Sequence, residues 1–159
     1  MAERVYIETT VVSYLTARPN RDVVIAGHQQ ITREWWDTRR ASYELCVSAP
    51  VLDEAGAGDA QAAQERLLVL QPMLVPETTT EAFELAEELL RAGALPRKAA
   101  DDALPIAVAA TKAIPYLLTW NCRHLANATM RPVIEAVCVA KGIKAPIICT
   151  PEELLESMP

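Results

Sequence analysis

Four places in this sequence set oxygen-bearing side chains directly beside an apolar run. Val5-Tyr6-Ile7 leads into Glu8-Thr9-Thr10, and Leu45-Cys46-Val47 is soon followed by Asp53-Glu54. Asp101-Asp102 opens the apolar stretch from Ala103 to Ala110, and Tyr116-Leu117-Leu118 runs into Thr119-Trp120-Asn121. In an α/β chain such residues gather at one edge of a sheet, the edge where ligands bind in open parallel sheets. Carboxylates collected there repel one another unless a cation lies among them, so the pattern points first to a divalent-metal site.

Those side chains need elements to hold them. Val5 to Ile7 reads as a buried strand, and Thr9 or Thr10 caps a short helix to about Leu15 that Arg18-Pro19-Asn20 breaks. Asp22 caps a long helix to about Arg40, with Val24, Ile25, Ile31, Trp35 and Trp36 near helical spacing. Tyr43 to Ser48 is the second strand. Ala49-Pro50 starts a short helix carrying Asp53 and Glu54, which ends in the turn from Gly56 to Gly58. Asp59 caps the next helix to about Leu70, and Met73 to Val75 is a third short strand. Thr79 or Thr80 begins a helix to about Leu90, stopped at Gly93. The helix carrying Asp102 runs to about Lys112, its start left open between Pro96 and Asp101 by Pro105. Ile114 to Thr119 is the fourth strand, Thr129 to Ala140 a helix, Pro146 to Ile148 a fifth strand, and Pro151 starts a terminal helical turn. Strands alternating with helices call for a short, mostly parallel sheet covered on both faces, a three-layer α/β/α domain. With no repeat and no dividing linker, residues 1–159 read as one domain.

Composition narrows the function classes. A chain of 159 residues buries about two thirds of the surface its unfolded form exposes. A net charge of −6 excludes a protein that holds nucleic acid by bulk electrostatics; a polyanion needs a local basic patch or a bound cation. Cys46, Cys122, Cys138 and Cys149 show no C-x-x-C spacing and lie in or beside apolar segments, so they read as small buried thiols of a reducing compartment. No stretch has the length or continuity of a membrane span, and no apolar leader stands at the N-terminus; the expected location is cytoplasmic.

The segments Val5-Tyr6-Ile7-Glu8-Thr9-Thr10, Val51-Leu52-Asp53-Glu54 with Gly58-Asp59, Lys98-Ala99-Ala100-Asp101-Asp102-Ala103-Leu104, and Leu117-Leu118-Thr119-Trp120-Asn121-Cys122-Arg123-His124-Leu125 resemble, in order and over nearly the whole chain, the PIN-domain family. The resemblance is to the VapC-type toxins of bacterial toxin–antitoxin systems in particular. It implies a PIN-type fold and a metal-dependent ribonuclease site that leaves a 5′-phosphate and a 3′-hydroxyl. Glu8 matches the first-strand acid, Glu54 the second, Asp102 the third and Asn121 the fourth, with Thr9 or Thr10 and Thr119 as the accompanying hydroxyls. Phosphodiester hydrolysis needs an activated water and neutralised phosphate charge, which Mg²⁺ or Mn²⁺ supplies; Glu8, Glu54 and Asp102 are the expected ligands, and Asn121 orients a water or ligand. The departures are Glu8 in place of the usual Asp, the neutral Asn121, and Pro105 where close relatives often carry His.

Neighbouring acids compete for two of these roles. Adjacent helical residues point about 100° apart, so only one of Asp53 and Glu54 faces the site, and Glu54 is favoured. Asp102 is favoured over Asp101 because Ala103-Leu104 follow it as in the family. Arg97, Lys98, Arg123 and His124 are candidate phosphate contacts near the acids, and Tyr14 and Trp120 are candidate stacking residues. A toxin reading also implies an antitoxin and a homodimer, with the helices Val23 to Trp36 and Thr80 to Leu90 as candidate interface. Glu8, Asn121 and Pro105 motivate the rival, a PIN-like metal- or partner-binding module that does not cleave. A phosphotransfer site of receiver type is disfavoured, because the first strand does not end in a nucleophilic Asp.

Overall fold

The computed structural model describes residues 2–155. Four short strands form one sheet: β1 (Glu3–Ile7), β2 (Tyr43–Cys46), β3 (Tyr116–Leu118) and β4 (Ile147–Cys149), in the order β2-β1-β3-β4. Every neighbouring pair is parallel, Val5 lying opposite both Leu45 and Tyr116. Parallel neighbours need crossover connections, and helices supply them. These are α1 (Thr9–Thr16), α2 (Val23–Thr38), α3 (Ala49–Ala55), α4 (Ala60–Leu70), α5 (Thr80–Arg91), α6 (Ala100–Thr111) and α7 (Arg131–Ala140). Helix α1 packs against α2, α3 and α4, whereas α5 packs against α6 and α7. The buried apolar residues form one cluster that includes Val5, Tyr6 and Ile7 of β1, Leu117 and Leu118 of β3, and Ala103, Ile106, Ala107, Val108, Ala109 and Ala110 of α6.

The topology creates the site. The chain leaves β1 toward β2 on one side and returns to β3 on the other, so the order reverses between β1 and β3. A crevice opens beyond the carboxyl ends of strands at such a switch point. Glu8 follows β1 and Thr119 follows β3, both at that crevice.

Local chemistry explains most boundaries. Asp22 accepts from the Val24 and Ile25 amides and caps α2. Asp59 caps α4 through Ala62 and Thr79 caps α5 through Ala82. Gly93, at φ +75°, ends α5 in the left-handed region that favours glycine. A 3₁₀ turn over Arg97–Ala99 precedes α6, which starts at Ala100 and keeps Pro105 inside. Pro105 has no N–H, so the Asp101 carbonyl loses its i+4 partner.

Four expectations need correction. Met73 to Val75 is not a strand: Leu74 alone bridges to Cys46, through Leu74 N–H to Leu45 O at 3.0 Å and Val47 N–H to Leu74 O at 2.9 Å. In a parallel ladder the next bonding residues are two away on either side, here Pro72 and Pro76, and neither has an N–H to donate. The sheet therefore has four named strands rather than five. Glu8, rather than Thr9 or Thr10, is the N-cap of α1. Helix α7 starts at Arg131, not Thr129, with Pro132 in its first turn. Cys122 is exposed, because it lies on the turn after Trp120 and not on the buried strand; the other three thiols are buried and free.

Candidate active site

Glu8 is the last residue before α1, and its carboxylate is almost fully enclosed, 5% exposed. Its Oε2 accepts from the Thr10 backbone N–H at 3.2 Å. Its Oε1 accepts from two hydroxyls, Thr10 Oγ1 at 2.5 Å and Thr119 Oγ1 at 2.6 Å. Burial pushes this carboxyl above its usual range; the hydroxyls of Thr10 and Thr119 and the Thr10 amide pull it down, and the charge of Glu54 pushes it up again.

The tandem threonines divide their work. They are the first two residues of α1, so their side chains leave the helix about 100° apart. Thr10 holds Glu8, and Thr9 turns the other way, its Oγ1 donating to Glu54 Oε2 at 2.7 Å. Glu54 lies on α3, where it is exposed except for this bond; Asp53 is also exposed. The α3 entrance is held by Ser48, whose hydroxyl meets the buried Tyr6 phenol at 2.5 Å. Burial raises the Tyr6 pKa, so the phenol stays neutral.

The third acid stands at the start of α6. Asp102 is half-buried and meets two partners from the loop after β3. Asn121 Nδ2 donates to Asp102 Oδ2 at 3.2 Å, and His124 Nδ1 lies 3.3 Å from the same oxygen. Burial pushes the Asp102 carboxyl up; the Asn121 amide and the adjacent His124 pull it down. The Asn121 amide orientation follows from its two partners, because Oδ1 accepts from the His124 backbone N–H at 3.0 Å. Its NH₂ therefore faces the acid, and Asn121 acts as a donor that holds Asp102.

Thr119 joins these groups. Its hydroxyl donates to Glu8 and accepts from the Asn121 backbone N–H at 2.9 Å. A continuous path thus runs from Glu8 through Thr119 and Asn121 to Asp102, with Glu54 tied in beside it through Thr9.

The basic residues stand apart from this network. Arg97, Lys98 and Arg123 are exposed, and among the described residues His124 is the one expected phosphate contact that touches an acid. Sequence reasoning missed the separate jobs of Thr9 and Thr10, and the supports Tyr6 and Ser48. The doubled threonine was the one signal for the former; the latter pair, 42 residues apart, left none.

The residues suit a hard divalent cation in their donor chemistry. Each of Glu8, Glu54 and Asp102 keeps free lone pairs on an oxygen that accepts one hydrogen bond or none, and carboxylate oxygen is the donor such ions take. Among the described residues, no three His, Cys, Asp or Glu side chains converge as a ready-made cage. Mg²⁺ needs no such cage, since it binds through one or two carboxylates and keeps several waters.

The fold matches solved structures. One is the crystal structure of Mycobacterium tuberculosis VapC20, a sarcin–ricin-loop-cleaving toxin, with a TM-score of 0.59 and 16% identity over 76% of this chain and 92% of that one. Another is VapBC2 from Rickettsia felis bound to a DNA fragment from their promoter, with a TM-score of 0.57 and 15% identity over 92% of this chain and 98% of that one. The fold is that of a VapC-type PIN domain. The PIN-type fold is therefore established by shape, since no family model and no curated protein matches the sequence. Among the described residues, no helix is long and apolar enough to cross a membrane.

Proposed function

We propose that this protein is a metal-dependent endoribonuclease of the VapC toxin type. One observation carries the reading: a buried glutamate at the β1–β3 switch point is linked through Thr119 and Asn121 to a half-buried aspartate, with Glu54 tied in beside them. In an already acidic chain, carboxylates linked in this way match a cation better than a bare phosphate.

In this reading Glu8, Glu54 and Asp102 hold Mg²⁺ or Mn²⁺, directly or through its waters. The ion supplies charge neutralisation on the phosphate and a more acidic water. Thr10 and Thr119 fix Glu8 so that its carboxylate cannot swing away, and Asn121 and His124 do the same for Asp102. The oxygens free to take a proton from the attacking water are Asp102 Oδ1 and Glu54 Oε1. Hydrolysis breaks the P–O3′ bond, leaving a 3′-hydroxyl on one fragment and a 5′-phosphate on the other. Arg97, Lys98 and Arg123, exposed near the acids in sequence, contact flanking phosphates.

The same reading gives the protein a small antitoxin partner, a homodimeric state and a cytoplasmic location. Apolar side chains open to solvent on two helices support a partner surface: Val23 and Val24 at the start of α2, and Phe83 on α5. That no three acids converge as a cage among the described residues favours the second reading, a module that binds metal or a partner without cutting.

Incubation of a labelled single-stranded RNA mixture with Mg²⁺, Mn²⁺ or EDTA separates them. The expected result is cutting that needs the metal and disappears in Asp102→Ala. Mn²⁺ binding without cutting points to the module; neither cutting nor Mn²⁺ binding overturns both.

A further inference from the structure

Three rings lie together beside the acid network. Trp120 directly follows Thr119, and its backbone N–H donates at 2.8 Å to Thr10 Oγ1, the hydroxyl that holds Glu8. Its indole enters between α1 and α2, where Nε1 donates to Thr32 Oγ1 at 2.7 Å. His28 stacks on that indole with centroids 4.0 Å apart and planes 11° from parallel. Tyr14, one turn beyond Thr10 on α1, has its centroid 6.4 Å from the indole and 6.3 Å from the imidazole.

The rings differ in how they are finished. Trp120 is 7% exposed and its one polar atom is satisfied within the protein. Tyr14 and His28 are partly exposed, and neither the Tyr14 hydroxyl nor the His28 ring nitrogens have a partner among the described residues. Packing of α1 on α2 alone calls for apolar side chains; here a buried indole backs two accessible rings with uncommitted polar tips. The connection between these helices carries the exposed Arg18 and Arg21. It is held in shape by Gln29, whose amide donates to Arg18 O at 3.1 Å and accepts from Asn20 N–H at 3.0 Å.

We infer that Tyr14 and His28, backed by Trp120, form a stacking subsite for a nucleobase next to the phosphate held at the acid site. The inference rests on the nuclease reading for the identity of that neighbouring site. Every base has a π-face, so stacking holds single strands of varied sequence. The tyrosine hydroxyl and imidazole nitrogens then meet the base edge and set a preference among bases, and Arg18 and Arg21 meet the phosphates beyond it.

The test uses the full chain carrying Asp102→Asn, so that bound RNA stays intact. Fluorescence anisotropy compares a labelled single strand of about eight nucleotides with the same backbone made abasic at its centre. Intact RNA is expected to bind about tenfold tighter than abasic RNA, ~1.4 kcal/mol. His28→Leu and Tyr14→Leu should each weaken intact RNA severalfold while leaving abasic RNA within twofold, and His28→Phe, which keeps a ring to stack, should retain the parent's preference for intact over abasic RNA. Equal binding of intact and abasic RNA by the parent overturns the subsite, as does a loss in His28→Leu that is the same for both strands. If the leucine variants do not fold, the intact-to-abasic ratio of the parent decides alone. Metal-dependent turnover of bis(p-nitrophenyl) phosphate, which has no base, is measured in parallel on His28→Phe and wild type. Its absence in both, with base discrimination intact, sinks the nuclease reading and leaves the subsite standing.

Discussion

Replacing Thr119 by valine keeps the shape of a fully buried side chain and removes two hydrogen bonds at once. The hydroxyl donates to Glu8 Oε1 at 2.6 Å and accepts from the Asn121 amide at 2.9 Å. A hydrogen bond to a charged group contributes about 1.5–3 kcal/mol, and a buried N–H left without a partner costs about 1–3 kcal/mol. The two overlap, since both act through one loop, so Thr119→Val should lose about 3 kcal/mol at pH 7.5 without metal. Thr119→Ser keeps the hydroxyl and loses one methyl, a cost of about 1 kcal/mol. The difference should depend on pH. Thr119 lowers the Glu8 pKa, which burial has raised, so its removal raises the folded value further above the unfolded value of about 4.3. An acid with a raised folded pKa favours the folded state below the unfolded value, and that stability is lost as pH rises through the folded one. The penalty for valine should therefore be smaller at pH 4.5 than at pH 7.5. Urea denaturation of both variants at the two pH values measures it. Equal midpoints for Thr119→Val and Thr119→Ser, or a penalty that grows toward acid, would refute the reasoning.

Other outcomes follow from the same geometry. Mg²⁺ at tenfold its dissociation constant should stabilise the folded protein by about 1.4 kcal/mol, read as a rise of roughly 3–6 °C in melting temperature; Asp102→Asn should abolish most of that rise, and an equal rise in both proteins would count against Asp102 as a ligand. In EDTA, the melting temperature of Glu8→Gln relative to wild type should climb from pH 4.5 to 7.5, because only the wild type carries a carboxyl whose pKa burial raises above its unfolded value; a difference flat with pH would show that Glu8 is not desolvated.

The parts of the fold visible in the sequence are those fixed by near neighbours. Asp22, Asp59 and Thr79 announce helix starts because a cap bonds to amides two or three residues on. The run Val5 to Ile7 is apolar enough to be a central strand, and the acid that follows it lies at a strand end wherever the strand pairs. The choice of Glu8 as cap was not legible, since glutamate is not among the preferred caps; it serves here because the neighbouring Thr10 hydroxyl and the distant Thr119 hydroxyl share its charge. Met73 to Val75 has strand composition, yet its prolines fall on the residues that would continue the ladder, a matter of register that composition does not carry.

The candidate site was legible as separate residues and not as a network. Glu8, the pairs Asp53-Glu54 and Asp101-Asp102, and Asn121 stand out from their places near apolar runs, and the family resemblance points to Glu54 and Asp102 within the pairs, but the bond from Asn121 to Asp102 crosses 19 residues and that from Thr119 to Glu8 crosses 111. The same distance hides His28 and Thr32 from Trp120, although Tyr14 and Trp120 were marked as aromatic candidates. Cys122 shows the converse error. Its apolar neighbours suggested burial, whereas the turn after Trp120 presents it to solvent.

The chemistry of the cut ends tests the central claim most directly. Hydrolysis at a carboxylate-held cation predicts RNA fragments with 5′-phosphate and 3′-hydroxyl ends, formed with Mg²⁺ or Mn²⁺ and absent with EDTA. Fragments ending in 2′,3′-cyclic phosphate that still form in EDTA would mean that the RNA's own 2′-hydroxyl attacks without the metal, and the account would be wrong.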